Sequence, residues 1–177
     1  EDSPIDFSHP TDFLSTIGRL WEQATKPAVD AGVRVVLMRF GVVMGKHGGA
    51  LSQMKLPFHF YLGGKIGSGK QPFSWVYMVD LGRAIEFLFE HSEISGPVNI
   101  VSPRCVTQAQ LAKAIGKAMH KPSLMPMPGF AMQLLLGEMA TELLLNGQRV
   151  IPKRLIDSGF TFEYPDIDAA VAYALNK

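Results

Sequence analysis

One cysteine, Cys105, stands in the 177 residues. No internal disulfide can form, and a zinc site built on several thiolates is excluded. A lone thiol suits a reducing compartment, where a buried structural place is the ordinary one. The five histidines, His9, His47, His59, His91 and His120, are scattered, and no H-E-x-x-H occurs; no metal site is expected. A surplus of one charge is missing too. The 17 basic and 16 acidic residues give a formal charge of +1, which argues against nucleic acid as the main partner and leaves room only for a local basic patch. No apolar run approaches the roughly 18–20 residues that span a bilayer, and the acidic, polar Glu1-Asp2-Ser3-Pro4 is no signal peptide. A soluble protein of the cytoplasm or an organelle matrix, without membrane contact, is expected. There is no initiating methionine, and the opening reads like the middle of a loop, so a fragment is expected.

Apolar residues make up 47% of the chain, enough for a packed core. Residues 1–11 read as loop. Phe13, Leu14, Ile17, Leu20, Trp21 and Ala24 recur at helical spacing, with Thr11 or Asp12 as cap and Pro27 and Gly32 marking the end or a kink. The β-branched run Val33–Phe40 suits a strand covered on both faces, as in a parallel sheet. Gly41–Gly49 lets the backbone turn or approach a ligand. Ala50–Leu56 reads as a short helix ended by Pro57. Tyr61–Arg83 is the densest stretch: a loop with four glycines, then the strand Ser74–Val79, then the helix Asp80–Glu90 with Asp80 as N-cap. Val98–Val101 reads as a strand, and Thr107 with Gln110 forms a capping box before Leu111, Ile115 and Met119. Phe130–Leu136 and Glu138–Leu145 read as helices, 148–157 as a short helix around Pro152, Phe160–Glu163 as a strand and Asp166–Leu175 as a closing helix.

Chemistry is sparse. No G-x-S-x-G nucleophile elbow occurs, and Gly67-Ser68-Gly69-Lys70 fails the P-loop pattern at Gln71. Glu138 and Glu142, four apart, suit an acid/base pair or a solvated helix face. Arg149, Lys153 and Arg154 form a basic cluster that could meet an anionic substrate or be plain surface charge.

Two stretches carry a resemblance. Gly69-Lys-Gln-Pro-Phe-Ser-Trp-Val-Tyr-Met-Val-Asp80 resembles the G-x-x-x-R-D-[FY]-[IV]-[HY]-V-x-D segment of extended short-chain dehydrogenases/reductases, and Leu37–Gly45 resembles their L-R-x-x-N-V-Y-G strand end. Phe13-Leu14, Trp21-Glu22, Arg39-x-Gly41-Val42-Val43-x-Gly45, Gly48–Leu51, Ser74-Trp75, Leu135–Met139 and Gly147–Leu155 are similar to one atypical, epimerase-like branch, over nearly the whole chain. The resemblance implies an α/β fold: the C-terminal part of a Rossmann-like parallel sheet plus a small, mostly helical substrate lobe. Residues 1–45 would end the nucleotide-binding domain. Residues 46–177 would be mainly substrate lobe, with helix 80–91 and strand 98–101 returning to the Rossmann-like core.

By the same resemblance the cofactor is NADP or NAD, passing near Val42, Val43 and Gly45. Phe73, Ser74, Trp75, Tyr77 and Arg149 would line or support the pocket of a small-molecule substrate. The family's catalytic Y-x-x-x-K falls at Leu14 and Gly18, neither of which can move a proton, so the catalytic group is unidentified. The asparagine near the nicotinamide falls at Val42. The arginine that holds a sugar-nucleotide diphosphate falls at Phe73, which implies a small, less charged carbonyl substrate at least as readily as a sugar nucleotide. The glycine-rich cofactor fingerprint is absent, so this chain alone is expected to be inactive and to bind dinucleotide weakly or not at all. Exposed apolar surface is expected to meet a missing N-terminal half or another copy. The alternative is a non-catalytic module that keeps the fold and binds a metabolite or protein.

Overall fold

A computed structural model describes residues 13–46, 48–125 and 147–176. The expected loop 1–11 and its capping residues, and the expected helices at 130–136 and 138–145, lie outside the described residues. Two helices open the described chain, α1 (Phe13–Ala24) and α2 (Lys26–Asp30), the second with Pro27 in its first turn, where a missing N–H costs nothing. Then come β1 (Val36–Phe40), β2 (Val42–Met44), α3 (Gly49–Met54), α4 (Leu56–His59), β3 (Pro72–Phe73), β4 (Trp75–Tyr77), α5 (Met78–Glu90), β5 (Gly96–Ile100), β6 (Val106–Thr107), α6 (Gln108–Ala118), α7 (Lys153–Asp157) and α8 (Ile167–Asn176).

The fold class is α/β. β1 pairs in parallel with β5 over Val36↔Gly96 to Phe40↔Ile100, and β2 pairs in parallel with β4 over Val42↔Trp75 to Met44↔Tyr77. Gly41 is the residue where the chain changes partner. Its N–H reaches the Ile100 carbonyl at 3.2 Å, and the next N–H, of Val42, reaches the Ser74 carbonyl at 2.9 Å. A methyl on Gly41 would lie 2.9 Å from both the Ser74 oxygen and Val101 Cγ1, so only glycine lets the strands approach this closely. A short antiparallel pair, β3 with β6, forms a separate two-stranded ladder.

The run from Phe73 to Tyr77 separates two cores, as the period-two alternation of a strand requires. Phe73, Trp75 and Tyr77 join Met44, Leu51, Phe58 and the apolar sides of α6 and α8. Val76 faces the other way, onto Ala84 and Leu88 of α5, Val98 and Ile100 of β5, and Leu155 and Phe160. The Thr107–Gln110 capping box is present with both reciprocal bonds, and Asp166 Oδ1 accepts from the Asp168 N–H at the start of α8.

Several expectations are corrected. β1 starts at Val36, not Val33, and one face is open: Met38 and Phe40 are 40% and 51% exposed. Pro57 does not end a helix; it sits in the first turn of α4. The 148–157 helix is confined to Lys153–Asp157. Phe160–Glu163 is irregular backbone without a strand partner among the described residues: the Phe160 N–H turns back to the Leu155 carbonyl, and a buried side chain takes the Glu163 N–H.

That side chain is Asp80, and it is not an N-cap. The helix begins earlier, after Tyr77, with no side-chain cap bond, and Asp80 is its third residue. Asp80 is 1% exposed. Its Oδ1 accepts from the Glu163 N–H at 2.8 Å and from Arg83 at 3.0 Å, and its Oδ2 accepts from the Tyr164 N–H at 2.8 Å. Replacing Asp80 by alanine leaves two backbone donors without an acceptor. We expect a loss of roughly 3–5 kcal/mol in urea unfolding, against about 1 kcal/mol or less for Arg83→Ala, whose guanidinium is partly solvated. Equal losses from the two variants would contradict the assignment.

Candidate functional site

In a parallel sheet the strands' carboxyl ends leave an open crevice. Here that edge is formed by Met44 and Gly45 at the end of β2 and by Tyr77 and Met78 at the end of β4, held in register by the β2–β4 pairing. Val42 and Val43 are half-buried, one packed on each core. Gly45 is also half-buried, and a methyl there would meet Met78 only at an ordinary 3.8 Å. Met78 and Val79 are 53% and 38% exposed. The edge is thus an apolar shelf with the amino end of α5 on it.

The residues expected to form a substrate pocket fall into two groups. Phe73, Trp75 and Tyr77 are buried on one face of the strand run. The Trp75 indole N–H donates to the Arg104 carbonyl at 3.2 Å. Tyr77 packs against Tyr164 with ring centroids 4.7 Å apart and against Tyr173 at 6.0 Å. Phe73, Trp75 and Tyr77 all belong to the first core.

Ser74 and Arg149 lie on the other side, and the structure brings them together. Ser74 Oγ donates to the Gln148 carbonyl at 2.6 Å and accepts from the Val150 N–H at 3.0 Å. One hydroxyl therefore clamps the backbone on both sides of Arg149, whose side chain is exposed. Cys105 Sγ stands 4.0 Å from Ser74 Oγ and is partly buried. Of the basic cluster, Lys153 pairs with Asp157 at 2.6 Å and Arg154 donates to the Pro97 carbonyl at 3.0 Å. These two cations serve local structure. Glu138 and Glu142 lie outside the described residues.

Sequence reasoning missed two pairings. Glu22 and Arg39, quoted above as separate motif residues, form a two-bond ion pair: Nε to Oε1 at 2.8 Å and Nη2 to Oε2 at 3.0 Å. It locks α1 onto β1. The tyrosine cluster was also missed, because Tyr164 and Tyr173 come from far along the chain. Burial raises the Tyr77 phenol above its ordinary value, with Tyr173 adding to the shift. The Tyr164 phenol is pushed up to about 12, by desolvation first and then by the Glu163 carboxylate and Tyr173.

Among the described residues no group of three or more His, Cys, Asp or Glu could hold a metal ion. No described helix is long and apolar enough to cross a membrane.

Residues 127–174 match a family model described as a domain of unknown function, DUF1731. Over 167 residues the chain is 42% identical to an epimerase family protein of Mycobacterium leprae, covering 94% of this chain and 54% of that protein. An epimerase family protein of Staphylococcus aureus is 40% identical over 95% of this chain and 56% of its own length. The chain thus spans about half the length of the curated relatives it matches. The crystal structure of human epimerase family protein SDR39U1 (isoform 2) with NADPH superposes with a TM-score of 0.88 and 36% identity, over 100% of this chain and 59% of that one. UDP-N-acetylglucosamine 4-epimerase from Bacillus cereus superposes at 0.71 with 13% identity, over 97% of this chain and 57% of that one, a likeness of fold alone.

Two measurements test the site. Ser74→Ala removes both bonds to the 148–150 backbone. It should cost about 1–2 kcal/mol and speed amide exchange at Val150; unchanged exchange would deny the clamp. The phenols set an alkaline limit. A group whose folded pKa lies above its unfolded value contributes stability that is present below the unfolded value, about 10 for tyrosine, and is lost as pH rises through the folded one. Phenolate absorbance should show Tyr77 ionising above its ordinary value and Tyr164 ionising near pH 12, with stability falling between about pH 10 and pH 12. Tyr164→Phe should delete the latest component. An absorbance curve that Tyr164→Phe leaves unchanged near pH 12 would contradict the burial argument.

Proposed function

On the premise that this chain corresponds to the C-terminal region of proteins in the epimerase-like branch of the short-chain dehydrogenases/reductases, we propose that it supplies the substrate-side part of an NAD(P)-dependent oxidoreductase or epimerase. The observation that carries this reading is the likeness, over the chain's whole length, to the human protein crystallised with NADPH. The substrate is a small carbonyl or hydroxyl compound, or a sugar-type one.

The shelf at the ends of β2 and β4 fits the apolar face of a nicotinamide ring. Val42 and Val43 offer aliphatic surface, and Gly45 presents bare backbone with room beside Met78. An NAD(P) held there by Val42, Val43 and Gly45 would supply hydride-transfer chemistry. This chain's own residues do the rest. Val42, Val43 and Met78 keep water from the reacting carbon, which suits hydride chemistry. Arg149, held by Ser74 on both flanks, takes a carboxylate or phosphate of the substrate, where its planar fork matches two oxygens. Phe73 is 3% exposed and belongs to the core; it offers a diphosphate no charge. Val42, Val43, Met44, Gly45 and Met78, the described shelf residues besides Tyr77, carry no side chain that can move a proton, and the catalytic group is unidentified.

Met38 and Phe40, exposed on β1, and Leu20 and Trp21, 55% and 74% exposed on α1, are the surface on which the remaining half of such a protein, or another copy, packs. The second reading, a non-catalytic metabolite- or protein-binding module, draws support from the buried Phe73.

Titration by nicotinamide fluorescence separates the readings. The 177-residue chain alone should bind NADPH and NADH more weakly than the low-micromolar range. The chain joined to the preceding half found in its relatives should bind one of them with a red-edge quench or enhancement. No binding by the joined protein would remove the oxidoreductase reading, and tight binding by this chain alone would refute the division of labour proposed here.

A further inference from the structure

The near-zero total charge averages over a marked segregation. Residues 46–79 hold four lysines and no aspartate or glutamate; residues 94–125 hold three lysines and one arginine and again no acid. The fold brings these two stretches together. The Ile66 N–H donates to Gln108 Oε1 at 2.8 Å, the Gln108 N–H to the Gln71 carbonyl at 3.0 Å, and the Ala109 N–H to the Gly69 carbonyl at 3.0 Å. The only carboxylates paired with this lobe among the described residues come from the start of α8: Asp166 to Arg104 at 3.3 Å and Asp168 to Lys117 at 3.0 Å.

On the same lobe α4 runs into a tight turn. The Tyr61 N–H bonds the Phe58 carbonyl at 3.0 Å, the Leu62 N–H bonds the Pro57 carbonyl at 3.0 Å, and Tyr61 takes φ +60°. Phe58 points into the core and covers Gly63, where a methyl would collide with its ring. After His59, itself exposed, three more side chains point out: Phe60, Tyr61 and Leu62 are 68%, 58% and 52% exposed. Lys55 and Lys65 flank the turn in the chain, and Lys121 Nζ lies 3.6 Å over the Tyr61 ring.

We propose that this convex apolar prong and its lysines seat the chain on the surface of an anionic phospholipid bilayer. Phe60 and Leu62 enter the headgroup boundary, while Lys55, Lys65 and Lys121 stay at phosphate level. The contact is peripheral and replaces the expectation, read from sequence, of no membrane contact. Two features favour a bilayer over other polyanions. A prong needs a matching pocket on a protein but none on a deformable lipid surface. On a nucleic acid the aromatic faces should be open for bases to stack, whereas Lys121 covers Tyr61. This proposal rests on the charge and shape of the lobe and does not depend on the cofactor reading.

The test is co-sedimentation of the full chain with vesicles of phosphatidylcholine and with vesicles of equal parts phosphatidylcholine and phosphatidylserine. Binding should favour the anionic vesicles by about tenfold or more and fall steeply with salt. Phe60→Asp with Leu62→Asp, and separately Lys55→Glu with Lys65→Glu, should each weaken it by about tenfold or more while far-UV circular dichroism stays unchanged. Should the prong variant fail to fold, the lysine variant decides alone, since both its substitutions are polar for polar. No binding to anionic vesicles, equal binding to both kinds, or tighter binding to single-stranded RNA would overturn the proposal.

Discussion

A single carboxylate holds the two ends of the described chain's second half together. Asp80 leaves water almost completely, which is costly for a charge. It is compensated by two backbone N–H groups, by Arg83, and by its place in the first turn of α5, where the helix dipole favours a negative group. The Glu163 and Tyr164 N–H groups it holds lie just before α8. Fixing them sets Tyr164 against Tyr77, and it delivers α8 to α6 so that Ile167, Ala170, Val171 and Ala174 can close the first core. Without this acceptor the backbone at 163–164 would have to find water, and the core behind Tyr77 would open.

The same device recurs wherever regular structure runs short. β2, β3, β4 and β6 are only two or three residues long, too short for ladders alone to fix the connections. Buried polar side chains take over. Asn99 donates to the Ile151 carbonyl, Ser102 to the Pro165 carbonyl, and Gln108 accepts from Ile66. Arg34 gathers the carbonyls of Leu88, His91 and Ile94 at the end of α5, where a cation opposes the helix dipole. Among the described residues no buried side-chain nitrogen or oxygen lacks a partner, so these anchors do not carry the penalty of an unmet polar group.

This explains which parts of the fold could be read from sequence. α5, α6 and α8 announce themselves through apolar periodicity and the capping box, which are local signals. β1 and β5 do so through β-branched runs. What could not be read is set by distant partners. Asp80 in front of an apolar helix is a good N-cap by local rules, yet its acceptors point to residues more than eighty positions away. Phe160–Glu163 has the alternation of a strand, but a strand needs a neighbouring edge; here the Phe160 N–H turns back to the Leu155 carbonyl and the Glu163 N–H goes to Asp80. Pro57 reads as a stop because proline breaks helix interiors; in a chain that restarts at Leu56 it is the favoured opening residue. The Glu22–Arg39 pair was visible only as two letters, since nothing local says that α1 lies across β1.

At the candidate site the legible and the hidden divide along the strand itself. The Phe73–Tyr77 run was recognisable by its letters, but the alternation of its faces decides what each residue does. Phe73, Trp75 and Tyr77 point to the first core. Ser74 points the other way, and there its one hydroxyl both donates and accepts, so that it fixes the backbone of residues 148–150 from both sides. Arginine placed by such a clamp loses less freedom when it meets an anion, because its backbone is already ordered. A guanidinium at Phe73 would instead be buried among apolar side chains, where desolvation of a charge is costly. The chain thus keeps its cation on a tethered, exposed segment beside the strand and leaves the strand's own buried face apolar.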